Sequence, residues 1–580
     1  MASFPSDATG SPAPWPAASL PEIQALLCAP GQRFEMEDVA VRGETIRAWK
    51  NVPPTLAGLA ALARTHGDAI FLILGEERVS YDAWHRATAK LARHFLALGI
   101  GKGDRIALAM RNLPEWPVAF FAATAIGAIM VPLNAWWTGQ ELEYGLKDAG
   151  ARLLVCDAER HQRLAEHYAA LPGLETVLVA RADGALTGHA RALEAIIGTT
   201  ADYAALPDDD LPDSALVPDD AATIFYTSGT TGEPKGALGT HRNITTNIFS
   251  SAYAAARSFL RRGEMPPDPP PRAVALLVIP LFHVTACSAT MTGAMASGAT
   301  MIFMHKWHPE EAFRIIERER VTLAGGVPTI AWQLIEHPAR EKYDLGSLKT
   351  ISYGGAPSAP DLVRKIRDVM GALPGNGWGM TETMATVTSH SAEDYLNRPD
   401  SCGPPVPVSD IKIMAEDGSV ELPIGTIGEL WARGPQVVSG YWNKPAATAE
   451  TFVHGWVRTG DLARIDAEGF CYIVDRAKDI VIRGGENIYS TEVENILYDH
   501  PAVTDAAVVA LPHRTLGEEP GAVVHLAPGE TASERELQDW VRGALAAFKV
   551  PVRIVFSDDT LPRNANGKIL KTELKGLFEA

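Results

Sequence analysis

Along most of this chain, apolar runs of strand length alternate with segments of helical periodicity. From Thr55 the spacing of Leu56, Leu59 and Leu62 predicts a helix, followed by a strand over residues 69–74 and a Gly-Glu-Glu turn. Ser80 then reads as the N-cap of a helix running to Leu98. Further on, residues 275–279 make a β-rich apolar run, 284–297 a helix-length segment and 299–304 another strand. Pro309, with Glu310 and Glu311 in the first turn, opens a further helix. A strand over 321–323, a helix at Pro328 and a strand over 350–353 continue the series. Strand–helix–strand repetition with short connections predicts an α/β fold, with parallel-rich sheets flanked by helices.

The texture then changes. Between about Cys402 and Asp475, short strands such as 411–414 and 429–431 alternate with Gly/Pro turns, which predicts a small β-rich subdomain. After a strand over 470–474, a compact α+β pattern fills the remainder. The first stretch is rich in Pro, Ala and Ser up to Ser19 and then carries a short helix-like piece over 21–27, so residues 1–50 read as an N-terminal extension. The expected organisation is therefore a large domain over 51–474, its β-rich part at about 402–474, and a small C-terminal domain over 480–580.

Composition narrows the function. A chain of 580 residues is too long for one core. The net charge of −18 argues against nucleic acid as a partner, and it means that any anionic substrate must be held by local donors. The five cysteines, at 28, 156, 287, 402 and 471, show no C-x-x-C spacing, which fits a reducing cytoplasm and implies no zinc site. The N-terminus lacks the basic and apolar regions of a secretory signal. Two stretches invite a membrane reading: 117–133 is uncharged but short and bracketed by prolines, and 284–304 is long enough to span. Gly298 and the strand-like end of the second favour a buried helix followed by a buried strand, and no basic amphipathic anchor is evident.

The candidate chemistry begins at Tyr226-Thr-Ser-Gly-Thr-Thr-Gly-Glu-Pro-Lys-Gly236. Three glycines free the backbone, four hydroxyl side chains and exposed N–H groups offer donors to phosphate, and Lys235 adds a positive charge. This is not a Walker A loop. That motif needs G-x-x-x-x-G-K-[ST], whereas here Pro234 intervenes and Gly236 follows the lysine.

The segment resembles the signature loop of the adenylate-forming superfamily, which includes acyl-CoA synthetases, firefly luciferase and peptide-synthetase adenylation domains. Six further motifs follow in the expected order: Gly354-Gly-Ala-Pro357, Trp378-Gly-Met-Thr-Glu-Thr383, Arg458-Thr-Gly-Asp461, Asp475-Arg-Ala-Lys-Asp479, Gly484-Gly-Glu-Asn-Ile488 and Asn566-Gly-Lys568. The resemblance implies ATP, Mg²⁺ and coenzyme A as cofactor and co-substrates, a small-molecule carboxylic acid as substrate, and a C-terminal lid that rotates about a hinge at 475–479, with Lys478 as the pivot. It leaves a homodimer and peripheral membrane contact open.

By the same resemblance, Thr227, Ser228, Gly229, Thr230, Thr231, Gly232 and Lys235 cradle the β- and γ-phosphates. Glu382 and Thr230 hold the metal, and Thr381 meets the α-phosphate. Gly354, Gly355 and Ala356 lie against adenine, with Asn376, Trp378, Gly379 and Met380 opposite. Trp378 stands where the family has tyrosine and Asn376 where it has glutamine; a packing role for the tryptophan is the alternative. Asp461 is the ribose anchor or, on local grounds, a turn aspartate. Arg476 adds a nucleotide contact, and Lys568 reaches the carboxylate and α-phosphate. Gly484, Gly485 and Glu486 line the pantetheine path, with Ser490 replacing a common proline nearby. His283 flanks the substrate carboxylate or is a core histidine. Small residues at 285, 286, 288, 289, 325 and 326 suggest room for a long chain or a ring system. The expected reaction is ATP-dependent ligation of a carboxylate to CoA through an acyl-adenylate, with release of pyrophosphate and AMP. A medium- or long-chain fatty acid is the leading substrate class and an aryl or polycyclic acid the alternative. An oxidative luciferase shares the motifs, and a nucleotide-binding pseudoenzyme without turnover is the rival from another class.

Overall fold

A computed structural model of the chain describes residues 15–227, 233–354, 360–484, 486–527, 529–564 and 567–578. The large N-terminal part is built on two sheets. The first runs in the order Gly236–Thr240, Ala221–Tyr226, Ile129–Pro132, Arg105–Ala109, Leu153–Asp157, Thr176–Ala180, Ala190–Ala192, parallel except at the Gly236–Thr240 edge. The second has eight strands. Its interior, from Leu373–Met380 through Thr350–Gly354, Leu323–Gly326, Val274–Leu277 and Thr300–Phe303 to Ile70–Leu74, is parallel. Antiparallel strands close both edges. This is the parallel-rich α/β architecture expected from the alternation.

The helices between the sheets explain the apolar runs. Glu115–Ala125 is buried at every position, so residues 117–133 are uncharged because they form a core helix and strand. Residues 284–304 likewise split into Thr285–Met291, wound as a π-helix, Thr292–Ser297, and the strand Thr300–Phe303. Among the described residues no helix is long and apolar enough to cross a membrane.

Three local expectations shift. Leu62 faces solvent, because burial in Leu56–Arg64 follows Leu56, Leu59, Ala60 and Ala63. The strand placed at 321–323 lies at Leu323–Gly326. Arg320 ends the preceding helix in the left-handed region (φ 53°), so the next residues complete the turn. The glycines there leave no cavity for an acyl chain at Gly325: a Cβ on it would lie 1.7 Å from the Ser352 carbonyl oxygen. Its missing side chain makes room for the neighbouring strand.

The N-terminal segment is integrated into the body. Met36–Val41 and Glu44–Trp49 form an antiparallel hairpin. Arg47 pairs with Asp410, Trp49 donates to Ser250 Oγ (3.1 Å), and Arg42 donates to the carbonyls of Val437 and Val438. Further along, Asp410–Met414, Gly428–Arg433, Phe452–Val453, Trp456–Ile465 and Cys471–Arg476 make the β-rich sheet. The smaller C-terminal domain wraps Ser490–Tyr498 and Glu534–Ala544 over a sheet in which Gly517–Leu526 is central and Val503–His513 forms an edge.

Candidate active site

Functional residues of parallel α/β sheets gather beyond the carboxyl ends of the strands, and here Thr227, Gly354 and Thr381–Thr383 each stand at such an end. The Ala221–Tyr226 strand runs into Thr227, where the phosphate loop begins. Its neck is closed by the Thr227 N–H to the Lys235 carbonyl (2.9 Å), and Tyr144 Oη donates to the Pro234 carbonyl (2.9 Å). Ser228, Gly229, Thr230, Thr231 and Gly232 lie outside the described residues, as do Gly355, Ala356 and Gly485. Gly354 ends the Thr350–Gly354 strand. Its own Cβ would meet the Gly377 carbonyl at 3.1 Å, a tight contact that the bare backbone avoids.

The Leu373–Met380 strand carries Asn376, Trp378, Gly379 and Met380 and turns at Thr381–Thr383. Asn376 Oδ1 accepts from the adjacent Gly377 N–H (2.7 Å). The chain then passes through Met384 and Ala385 with φ of 45° and 99°, a conformation costly for residues with a Cβ and typical of functional turns. Asn247 holds this kink open. From inside the His241–Arg261 helix its Nδ2 donates to the Met384 carbonyl (2.7 Å) and Ser288 Oγ (3.0 Å), while its Oδ1 accepts from Thr386 N–H (3.0 Å). Asn247→Ala would orphan several buried groups, each worth about 1–3 kcal/mol. The expected result is a clear fall in melting temperature together with at least about a tenfold loss of turnover, read by calorimetry and pyrophosphate release.

The kink delivers Glu382 to the centre of the site. Its carboxylate is buried and accepts from Tyr441 Oη at 2.6 Å. Burial pushes its pKa up from the usual carboxylate range, while the Tyr441 hydroxyl, Arg476 and Lys235 oppose that shift. Lys235 Nζ sits 5.1 Å from the Tyr441 ring centroid, so one tyrosine touches both the loop lysine and the acid. Trp378 packs its ring into the β-rich core and donates Nε1–H to Asp461 Oδ2 (2.8 Å), while Arg476 Nε lies 3.2 Å from Asp461 Oδ1. Asp461 and Arg476 face each other across one antiparallel register.

Lys568 enters from the C-terminal domain. Gly567 (φ 72°) presses against Val327 so closely that a Cβ would lie 2.5 Å from it, so the two domains meet here. Lys568 Nζ is sealed from solvent and has no hydrogen-bond partner among the described residues. Burial pushes its pKa down to about 8, with Arg476 and Lys478 adding to the shift and Asp479 and Asp461 opposing it. His283, at the loop after Val274–Leu277, lies tilted against the Phe282 ring (centroids 4.5 Å apart, planes 55°), with Nε2 sealed and without a hydrogen-bond partner among the described residues. Burial lowers its pKa to about 3, so the imidazole is neutral. Lys478 lies in the connection between the domains. Gly484 and Glu486 stand exposed on the hairpin Val481–Arg483 with Glu486–Ile488, apart from the cluster in this domain orientation.

Sequence reading missed Tyr441 and Asn247. Tyr441 sits in Ser-Gly-Tyr-Trp, a stretch without a charged or spaced pattern. Asn247 left a faint signal, as a helix-disfavoured polar residue within a long helix.

A profile described as AMP-binding enzyme matches residues 59–442, and one described as AMP-binding enzyme C-terminal domain matches 492–568. The chain belongs to the AMP-binding enzyme family. This places it in the acyl-CoA synthetase branch of the adenylate-forming superfamily, as an AMP-forming acid–thiol ligase. Among relatives of this ligase, a feruloyl-CoA synthase from Amycolatopsis sp is 36% identical over 504 residues, covering 87% of this chain and 95% of that one. A long-chain-fatty-acid–CoA ligase from Bacillus subtilis is 34% identical over 503 residues, covering 84% and 87%. In structure, the ligase is similar to the o-succinylbenzoate CoA synthetase of Bacillus subtilis solved with its acyl-adenylate, with a TM-score of 0.74 at 29% identity over 90% of this chain and 98% of that one.

Proposed function

We propose that this ligase activates an acid with an apolar body, a medium- or long-chain fatty acid first, and passes it to CoA. The observation that supports this reading most is the sealed Lys568 ammonium, held beside Asp461 and Arg476 and without a hydrogen-bond partner among the described residues. A buried cation without a partner is costly, and an anionic ligand would supply the missing partner.

In this reading the 227–235 loop and Lys235 bind the β- and γ-phosphates. Asp461, held by Trp378 and Arg476, accepts from the ribose hydroxyls. The donor set suits Mg²⁺, a hard ion that takes one or two carboxylates together with phosphate oxygens. Glu382 would hold it with Thr230, and the bound ion would neutralise phosphate charge. Lys568 clamps the substrate carboxylate against the α-phosphate while the carboxylate oxygen attacks phosphorus and pyrophosphate leaves. His283 stays neutral and orients the carboxylate by hydrogen bonding. Rotation of the C-terminal domain about Lys478 then brings Gly484, Gly485 and Glu486 in for the thiol step. Apolar Val278 and Ile330 crowd the space beside Gly326, in keeping with an acid that lacks charge along its body.

A second reading, an aryl or cinnamate-type acid, is favoured by the feruloyl-CoA synthase relative. A panel running from octanoate to palmitate, and from benzoate to 4-coumarate and ferulate, separates them. Thioester formation is read by mass spectrometry. Preference for the fatty acids by at least about tenfold in kcat/KM supports the first reading, and the reverse preference transfers the function to the aryl class. Pyrophosphate release without any thioester would remove CoA as acceptor.

A further inference from the structure

Asp475 and Ser490 lie on opposite sides of the proposed pivot Lys478, yet they are joined. Ser490 N–H donates to Asp475 Oδ2, and Ser490 Oγ donates to Asp475 Oδ1 at 3.0 Å. The contact does not end there. Lys571 Nζ donates to Ser490 Oγ (2.6 Å) and pairs with Glu494 Oε1 (2.7 Å), which accepts from the Val508 N–H (2.8 Å). Asp475 and Ser490 are almost wholly buried, at 4% and 0% exposure, and Glu494 is buried with them. A hydrogen-bonded chain therefore runs from the central sheet of the C-terminal domain to the last strand of the body. Such a network, with every buried member satisfied, is strong in a low-dielectric setting.

Its far end touches the nucleotide residues. Asp475 Oδ1 also accepts from the Arg476 N–H (2.7 Å), and in the strand pairing Asp475 lies opposite Leu462 and Arg476 opposite Asp461. Ser490 opens the Ser490–Tyr498 helix after Tyr489, whose extended backbone (ψ 118°) forms the N-cap. At that first helical position a proline is sterically welcome but has no N–H to offer. The serine is what permits the double bond to Asp475. The chain is made in the same domain orientation that presses Gly567 on Val327 and brings Lys568 to Arg476 and Asp461.

We infer that Asp475, Ser490, Lys571 and Glu494 form a latch across the pivot, which holds the C-terminal domain in the adenylating orientation and must open for the thiol step. These are positioning residues: none faces the reacting atoms, and each acts through Arg476, Asp461 and the placement of Lys568. The inference rests on the ligase reading for its kinetic consequence but not for its structural one. Rotation about Lys478 moves Ser490 and Lys571 as one body and leaves Asp475 behind, so the bonds to Asp475 are the ones that break.

Ser490→Pro removes both donors to Asp475 while suiting the helix start, and Ser490→Ala removes only the hydroxyl link. Two measurements on the full chain test the latch. In the first, ATP–pyrophosphate exchange reports adenylate formation, and addition of CoA to preformed acyl-adenylate reports the thiol step. Ser490→Pro should slow exchange by about tenfold and leave the thiol step unchanged or faster, with Ser490→Ala between it and the parent. In the second, amide hydrogen exchange across 475–490, without any substrate, should quicken at least about fivefold in Ser490→Pro, more than in the rest of the C-terminal domain. Equal loss of both half-reactions with a lowered melting temperature would mean that Ser490 serves only folding. Unchanged hydrogen exchange would overturn the latch whatever the kinetics. If the parent shows no exchange of pyrophosphate with any acid, the ligase reading has failed, and the hydrogen-exchange comparison still decides the latch.

Discussion

Lys568→Met should reduce adenylate formation by at least about a hundredfold, the usual loss when a charge clamp on a transition state is removed, and at the same time raise the melting temperature. Both effects follow from the same observation. The ammonium is sealed at the domain junction without a hydrogen-bond partner among the described residues, and burial depresses its pKa to about 8 from an ordinary 10.5. A folded value below the unfolded one means that the folded chain releases this proton first. Below pH 8 the full cost of the buried charge is present, and it fades as pH rises through 8 towards 10.5. Methionine keeps the stem volume and removes the charge. The stability gain should be about 1–2 kcal/mol at pH 7 once partial solvent screening is discounted, and should vanish near pH 10.5. Calorimetry at pH 7 and 10, with pyrophosphate release measured alongside, reads both arms. A variant less stable than the parent at pH 7 would show that Lys568 is held by a partner, and normal release would remove it from the chemistry.

Glu382→Gln should lower metal-dependent pyrophosphate release by about two to three orders of magnitude, within the range for loss of one well-placed electrostatic group. The side chain is buried and accepts one hydrogen bond from Tyr441. A glutamine can accept the same bond through Oε1, so the exchange is confined to charge. Because burial already disfavours the ionised form, stability should hold or rise slightly. Binding of Mn²⁺ in the presence of ATP, followed by electron paramagnetic resonance, should weaken by at least about tenfold. Unaltered Mn²⁺ binding would move the metal to another ligand even if turnover fell.

The legible and illegible parts of this protein divide by range of interaction. The Tyr81–Ala97 and Pro309–Glu319 helices were visible because caps and proline act within one turn. The parallel sheets were visible because a strand buried on both faces is apolar throughout. The π-helical turn at Thr285–Met291 was not, since its composition reads as ordinary helix and only packing selects the wider winding. The hairpin at Met36–Val41 and Glu44–Trp49 was hidden in the same way: alone it is a marginal element, and its contacts with Ser250, Asp410 and Val437 come from distant parts of the chain.

By itself the amino-acid order determined which chemistry is available. The ordered loops, the carboxylates and lysines, and the alternation that carries them are local patterns, readable within a few residues of each position. What only the tertiary structure decided is the state of those groups. Glu382 meets Tyr441 across 59 positions, Asp461 meets Trp378 across 83, and Ser490 closes on Asp475 across the pivot. Burial by remote segments makes His283 neutral and leaves Lys568 sealed without a hydrogen-bond partner among the described residues. The reason is physical: ionisation and hydrogen bonding depend on what surrounds a side chain in space, and folding brings those surroundings from segments that are far apart in the chain.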